Sequence, residues 1–152
     1  GNLRIILPDP YGSKGFLDKA PDWLAGWTGI RIDSGDPAEG AEAAINWWKS
    51  RGEDPRQKLV IFSDGLDEDK IIELSAQFRG RVRTSFGWGT LLTNDFRGLA
   101  PFSLVCKAVA ANGNPTVKLS DNPNKAMGPK DEIERYKSVF GVGEQTAQKV
   151  IV

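Results

Sequence analysis

The chain has 152 residues, enough for one domain with a sizeable hydrophobic core. It carries 20 basic and 20 acidic residues, and this zero net charge argues against binding to nucleic acid or to an anionic membrane surface. It contains no histidine, so acid–base chemistry has to use carboxylates, lysine, arginine or backbone groups.

Cysteine content and hydropathy indicate the compartment. The single cysteine, Cys106, allows no internal disulfide and lies in an apolar run that predicts a strand. No run approaches the roughly 18 apolar residues of a membrane span, and the start at Gly1 lacks the features of a signal peptide. We expect a soluble, cytoplasmic protein.

The first half of the chain alternates predicted strands and helices. Residues 3–8 form the first strand and residues 16–25 a short helix. Residues 29–33 form the second strand, after which Asp36 caps a helix that ends at Gly52. Pro and Glu at the next and third positions strengthen that cap. This alternation predicts a parallel sheet with crossover helices.

The next two units repeat the pattern. Residues 58–62 are a near-continuous apolar run, typical of a strand that is buried on both faces. Asp67 caps a helix that ends near Gly80, and residues 81–86 form the fourth strand. Three or four such units build an open sheet or part of an α/β barrel, which needs about 250 residues to close.

The pattern changes after residue 90. Residues 102–110 and 115–120 read as strands around the turn 112–114, which predicts a β-hairpin. Residues 121–125 form a turn-rich loop, and residues 131–140 form an amphipathic helix.

Three turns rich in acidic residues or glycine follow the last three strands, at residues 33–36, 63–67 and 86–90. They lie about 25 to 30 residues apart, the length of a βα unit, so all three belong at the same end of neighbouring parallel strands. Carboxylates bind sugar hydroxyls or metal ions, and glycine turns offer backbone N–H groups to phosphate. The turns predict a phosphorylated sugar as ligand.

The first turn contains two charged residues at the strand end. Arg31 and Asp33 are two residues apart and therefore point to the same side of the sheet. Arginine holds a carboxylate or phosphate, and aspartate accepts hydrogen bonds from sugar hydroxyls. The alternative is structural: Asp36 caps a helix, and the strand-end charges are merely solvated.

The other two turns suit phosphate. Ser63 and Gly65 present a hydroxyl and backbone amides, although Asp67 serves the helix as its cap. Gly87, Gly89 and Thr90 form a glycine turn with an added hydroxyl. Glycines there also simply let the chain turn past bulky neighbours. Trp47 and Trp48, on the helix that Asp36 caps, are packing residues, whereas Trp88 is a possible pocket residue.

Four segments in order resemble the nicotinate phosphoribosyltransferase family, with similarity to nicotinamide phosphoribosyltransferase. They are residues 30–37 (IRIDSGDP), 60–67 (VIFSDGLD), 85–90 (SFGWGT) and 117–125 (VKLSDNPNK). The resemblance implies an irregular TIM-like α/β barrel beside a second domain. It implies an enzyme of NAD salvage that forms nicotinate mononucleotide and diphosphate from nicotinate and phosphoribosyl diphosphate, a ligase-type reaction coupled to ATP hydrolysis.

The resemblance also implies roles for individual residues. Arg31 contacts the diphosphate or the nicotinate carboxylate, and Asp33 contacts the ribose hydroxyls, so these two are the catalytic candidates. The residues assigned to ribose and phosphate are Arg31, Asp33, Ser63, Asp64, Gly65, Gly87, Gly89 and Thr90. ATP and Mg²⁺ are the implied cofactors, but no residue of this chain is assigned to a metal.

One departure from the family bears on completeness. The phosphorylatable histidine of the family lies N-terminal to the matching region, and this chain has no histidine. We expect residues 1–100 to be the C-terminal half of the barrel and residues 101–152 a hairpin and helix that return to the second domain. The expected partners are the missing N-terminal half and, in a homodimer, a second copy. The chain alone should be inactive.

Two other functions fit part of this pattern. A different phosphate-binding barrel, such as a quinolinate phosphoribosyltransferase, would share the glycine turn but not the Arg31–Asp36 segment. A non-catalytic nucleotide-binding or interaction domain would keep the fold without the reaction. The choice of pyridine acceptor separates the first alternative from the family assignment.

Overall fold

The computed structural model describes residues 4–94, 96–102 and 104–142. Its main sheet has four parallel strands in the order β1, β2, β3, β4. These are β1 (Ile5–Ile6), β2 (Gly29–Ile32), β3 (Leu59–Phe62) and β4 (Arg83–Phe86). All four lie within the predicted strands, and the α/β class is confirmed.

Four α-helices accompany the strands: α1 (Ser13–Lys19), α2 (Pro37–Ser50), α3 (Glu68–Phe78) and α4 (Lys130–Phe140). The first is shorter than predicted. Pro21 disfavours helical backbone at the preceding residue, and Ala20 is accordingly extended, with ψ of 133°. A single 3₁₀ segment, Asp22–Gly26, occupies the rest of the predicted helix.

The two predicted helix caps are present. The Asp36 carboxylate accepts a hydrogen bond from the Glu39 amide at 2.9 Å, at the start of α2. The Asp67 carboxylate accepts one from the Lys70 amide at 2.8 Å, at the start of α3. Each carboxylate accepts from a helix amide that has no partner within the helix. The cap therefore fixes where the preceding turn ends and the helix begins.

The core lies between the sheet and its helices. Trp48 of α2 and Val60 and Phe62 of β3 are fully buried. The Phe62 ring lies 5.8 Å from Phe78 of α3 and 5.5 Å from Phe86 of β4. Burying such aromatic side chains stabilises a fold by about 1.5–3 kcal/mol each. This packing holds β3, α3 and β4 together directly beneath the turns that follow the strands.

Beyond β4 the structure differs from the sequence prediction. Residues 104–109 form no strand. The predicted strand 115–120 is reduced to β6 (Asn114–Pro115), which pairs with β5 (Ala110–Ala111), and to an isolated bridge between Lys118 and Met127. The turn between them has positive φ at both Asn112 and Gly113. The long strand 102–110 was wrong because its described apolar side chains find no sheet to pack against, and Cys106 is exposed. The described helices include none long and apolar enough to cross a membrane.

Candidate functional site

The turns after β2, β3 and β4 lie side by side. The Ser63 amide donates to the Ile32 carbonyl at 2.9 Å, and the Gly87 amide donates to the Phe62 carbonyl at 2.7 Å. Strand pairing therefore continues one residue past the end of each strand. The predicted site residues of the first two turns, and Gly87 of the third, therefore lie together at the carboxyl ends of the strands.

Arg31, Asp33 and Ser63 form the centre of the site. The Arg31 guanidinium donates through Nε to the Ser63 hydroxyl at 2.8 Å and through Nη2 to Asp33 Oδ1 at 2.9 Å. The Ser63 hydroxyl is 3.1 Å from Asp33 Oδ1 and 3.2 Å from the Ile32 carbonyl, so its one proton serves either acceptor. Two strand ends thus share one hydrogen-bonded triangle.

This triangle is accessible to a ligand. The Arg31 side chain is 44% exposed and the Asp33 side chain 24%. Among the described residues, no acceptor binds Arg31 Nη1. The arrangement leaves Nη1 of the guanidinium open while Nε and Nη2 are held in place. Such a preoriented group suits a phosphate or carboxylate oxygen.

Lys125 joins the second turn to the first from outside the sheet. Its ammonium lies 3.0 Å from Asp64 Oδ2 and donates to the Asp33 backbone carbonyl at 2.9 Å. The Lys125 side chain is 28% exposed and that of Asp64 35%. A second cation, paired with Asp64, therefore lies beside the triangle, which the strand-end residues alone did not predict.

The remaining predicted residues take different positions. Gly87 lies close to Ser63: a Cβ built on Gly87 would be 3.2 Å from the Ser63 Cβ. Gly65 has φ of 58°, a conformation that favours glycine, and its Cα faces open space. Gly89 and Thr90 begin a 3₁₀ turn (Thr90–Leu92), and no described contact joins them to Ser63. Gly89 and Thr90 therefore stay predictions without a described link to the cluster.

The start of α3 was a candidate phosphate site. Asp67 occupies it, since its carboxylate caps the helix at the Lys70 amide. A carboxylate at the helix N-terminus competes with an anionic ligand for the same amides. A phosphate at this turn would accordingly meet Ser63 and the Gly65 amide rather than the first turn of the helix.

Asp9, which sequence reasoning did not single out, lies buried beside the cluster. It follows β1 and is 4% exposed. Its Oδ2 accepts hydrogen bonds from Ser34 at 3.3 Å and from Ser120 at 3.1 Å. Burial raises the pKa of the Asp9 carboxyl, the Ser120 hydrogen bond lowers it, and the nearby Asp33 charge raises it further.

Residues 118–127, here called the 118–127 loop, cross this end of the sheet. The loop is closed by paired backbone hydrogen bonds between Lys118 and Met127, both at 2.9 Å. The Asp121 carboxylate anchors it by accepting from the backbone amide of Ser13 at 2.9 Å and from the Ser13 hydroxyl. The sequence predicted a strand as far as residue 120 and a turn-rich loop over 121–125; in the structure the polar residues Ser120 and Asn122 are buried.

Other features lie apart from the cluster. Trp47 and Trp48 are buried packing residues, as predicted, and Trp88 packs partly against the core. A cleft of about 930 Å³ runs between α1 and α2; it is lined in part by Leu17, Gly40 and Trp47 and by residues 34–36 of the first predicted turn, but not by Arg31, Asp33 or Ser63. Within the described ranges, no three acidic or cysteine side chains group as a metal site.

Comparison with known proteins identifies the family. A profile of the nicotinate phosphoribosyltransferase (NAPRTase) family matches residues 1–150. A nicotinate phosphoribosyltransferase structure from Vibrio cholerae is 38% identical, with a TM-score of 0.84, and the match covers 92% of this chain and 36% of that one. One from Porphyromonas gingivalis is 34% identical, with a TM-score of 0.82 and coverage of 92% and 38%. This chain, which spans little more than a third of those proteins, belongs to the nicotinate phosphoribosyltransferase family.

Proposed function

We propose that the full-length protein transfers the phosphoribosyl group of phosphoribosyl diphosphate to nicotinate, which gives nicotinate mononucleotide and diphosphate. The observation that carries this proposal is the Arg31–Asp33–Ser63 triangle at the end of two parallel strands. It combines a cation, a carboxylate and a hydroxyl within hydrogen-bond distance of one another, beside the Gly87 turn. These are the groups that a phosphorylated ribose requires.

The reaction breaks the bond between ribose C1 and diphosphate while the nicotinate nitrogen attacks C1. Positive charge develops on the ribose and negative charge on the departing diphosphate. Asp33, beside the ribose hydroxyls, would stabilise the first, and the open nitrogen of Arg31 the second. Their mutual hydrogen bond and the one from Arg31 to Ser63 set the orientation before substrate arrives.

The ribose 5′-phosphate is assigned to the second and third turns. Ser63 and Gly65 would offer a hydroxyl and a backbone amide, with Asp64 held aside by Lys125. Gly87, Gly89 and Thr90 would complete the phosphate site. Gly87 supports this assignment because a side chain there would crowd Ser63.

ATP and Mg²⁺ belong to the proposal as family cofactors, and ATP hydrolysis would make the enzyme ligase-type. The described residues do not fit a protein-held metal: Asp33 is paired with Arg31, Asp64 with Lys125, and no three-carboxylate group occurs among them. No step is therefore assigned to a metal bound by this chain.

Residues 1–100 are proposed to form one half of a TIM-like barrel and residues 101–152 to lead to a second domain. The order of the four parallel strands follows the chain without reversal. A barrel has such an order throughout, whereas a doubly wound sheet reverses at a switch point. The outer edges of β1 and β4 have no partner among the described residues, where further barrel strands would pair.

We propose that the rest of the enzyme, and a second copy in a homodimer, cover part of this chain's surface. Phe102, Leu104 and Val105 are 74%, 78% and 66% exposed, and Val109 is 72% exposed. Consecutive exposed apolar side chains usually mark a contact surface. Sedimentation of this chain with and without the remaining part should show association; a compact monomer with no affinity for it would contradict the proposal.

The test is an assay of the full-length protein with phosphoribosyl diphosphate and one pyridine at a time. Nicotinate should give nicotinate mononucleotide and diphosphate, and ADP should appear in step with product if ATP is coupled. Product with quinolinate but not nicotinate would favour the other barrel family. Ligand binding without any product would favour a non-catalytic domain. Product without ADP would remove only the ATP coupling.

A further inference from the structure

Asp9 joins three parts of the chain that are distant in sequence. It lies after β1, whereas its two hydrogen-bond donors belong to the turn after β2, at Ser34, and to the 118–127 loop, at Ser120. Both donors reach the same oxygen, Oδ2, and both are buried, at 7% and 2% exposure. A carboxylate in such a place loses its water, which costs stability unless hydrogen bonds replace it.

The 118–127 loop delivers Lys125 to the candidate site. Only four residues lie between Ser120 and Lys125, and internal hydrogen bonds fix that stretch. The Asn122 amide donates to the Ser120 hydroxyl at 3.3 Å, and the Lys125 amide donates to the Asn122 carbonyl at 2.9 Å. The position of Ser120 thus determines where the Lys125 ammonium meets Asp33 and Asp64.

We propose that Asp9 is a positioning residue of this site: its carboxylate ties the 118–127 loop to the turn after β2 and so places Lys125 against Asp33 and Asp64. The consequence for substrate rests on the proposed function. The link between the loop and the turn does not depend on the proposed function, because it concerns contacts within this chain. Asp9 acts through Lys125 and touches no reacting atom.

The charges around Asp9 agree with this role. Ser34 and Ser120 donate to it, Asp33 and Asp121 repel it electrostatically, and Lys118 attracts it. A buried carboxylate near two others lowers the stability of the folded state through electrostatic repulsion.

The first experiment measures backbone hydrogen exchange by mass spectrometry on the full-length protein. Asp9→Ala removes the acceptor, and the amides of Lys118, Lys125 and Met127 should exchange about tenfold to a hundredfold faster. The amides of α2 should not change, which separates release of the loop from unfolding. Asp9→Asn keeps an acceptor of the same size and should restore most of the protection.

Two further variants provide a second test and a control for this experiment. Ser120→Ala leaves Asp9 in place and deletes one hydroxyl, so it tests the same tie if Asp9→Ala does not fold. Asp18→Ala is the matched control, because Asp18 is an exposed carboxylate on α1 that pairs only with Lys14 among the described residues. Unchanged exchange of the 118–127 loop in both Asp9→Ala and Ser120→Ala would overturn the proposal.

A double-mutant cycle tests whether Asp9 acts through Lys125. Asp9→Ala should raise the KM for phosphoribosyl diphosphate about tenfold in the native background but less than about twofold when Lys125 is already alanine. An equal rise in KM in the two backgrounds, or a released loop with unchanged KM, would overturn the positioning role. A wild-type protein without phosphoribosyl transfer would refute the proposed function, and the exchange data would still decide whether Asp9 holds the loop.

Discussion

Arg31 Nη2 lies 2.9 Å from Asp33 Oδ1, and the two residues are neighbours on the same side of one strand end. The side chains are partly exposed, so the ion pair stabilises the fold by at most about 1 kcal/mol. A second pair with the same spacing, Arg56 and Asp54, also lies 2.9 Å apart but at the other end of the sheet, before β3. The two pairs make a matched comparison between a site pair and a surface pair.

Arg31→Lys should lower kcat/KM of the full-length enzyme about tenfold or more while the thermal midpoint stays within a few degrees. Lysine keeps the charge but has no planar fork, so it cannot bind Ser63 and Asp33 as the guanidinium does and also leave a nitrogen for a substrate oxygen. Steady-state kinetics and calorimetry measure both effects. Arg56→Lys is the control and should change neither.

Asp33→Asn should also lower kcat/KM, because the amide keeps one acceptor but loses the charge that strengthens hydrogen bonds to ribose hydroxyls. Asp54→Asn is its control. Near-native turnover in both Arg31→Lys and Asp33→Asn, with unchanged stability, would show that the pair is only a solvated strand end.

Thr90→Val should raise the KM for phosphoribosyl diphosphate about tenfold to a hundredfold, since a hydrogen bond to a charged group contributes about 1.5–3 kcal/mol. Valine keeps the shape and deletes the hydroxyl. Thr90→Ser keeps the hydroxyl and should behave like the native protein. A KM that is unchanged in the valine variant would remove Thr90 from the phosphate site.

Gly29→Ala should destabilise the fold by about 1–3 kcal/mol. A Cβ on Gly29 would lie 2.3 Å from the Leu59 carbonyl oxygen and 2.9 Å from the Leu59 Cβ, so β2 and β3 would have to separate. Gly15→Ala, within α1, meets nothing within 4 Å and should instead stabilise the helix by about 0.5–1 kcal/mol. Chemical denaturation compares them; equal effects would contradict the close approach of the strands.

The local features of this structure could be predicted from the sequence. The Asp36 and Asp67 caps and the strand Leu59–Phe62 depend on residues a few positions apart, so periodicity and capping rules predict them. The placement of the turns after β2 and β3 at the same end of the sheet was predicted as well, because neighbouring parallel strands end together; the Arg31–Ser63 hydrogen bond itself was not.

Contacts across long separations were not predictable in this way. Ser120 meets Asp9 from 111 residues away, and Asp121 meets Ser13 from 108. No periodicity links such positions. The segment 117–125 was noted only for its family resemblance, which was the one sequence signal that pointed to Ser120 and Lys125. The strand expected over 102–110 failed for a related reason, because an apolar run becomes a strand only where a sheet edge receives it.

Asp9 gives the last prediction, which concerns pH. Burial raises the pKa of Asp9 above its ordinary value of 3.8, so the folded protein holds this proton more tightly than the unfolded chain does. The contribution of Asp9 to the free energy of unfolding is therefore fully present below pH 3.8 and is lost as pH rises through the raised pKa. Asp9→Asn does not titrate and keeps an acceptor for Ser120.

The measurement is the difference in free energy of unfolding between native protein and Asp9→Asn, followed from acid to neutral pH. The difference should move against the native protein as pH rises, because only the native side chain becomes charged. Carboxyls with a lowered pKa, such as Glu42 beside Arg81, make the folded state more stable as pH rises. They are present in both proteins, so their contributions cancel in the difference. A difference that is flat with pH, or that moves in favour of the native protein, would mean that the Ser34 and Ser120 hydroxyls stabilise the Asp9 charge more than burial opposes it.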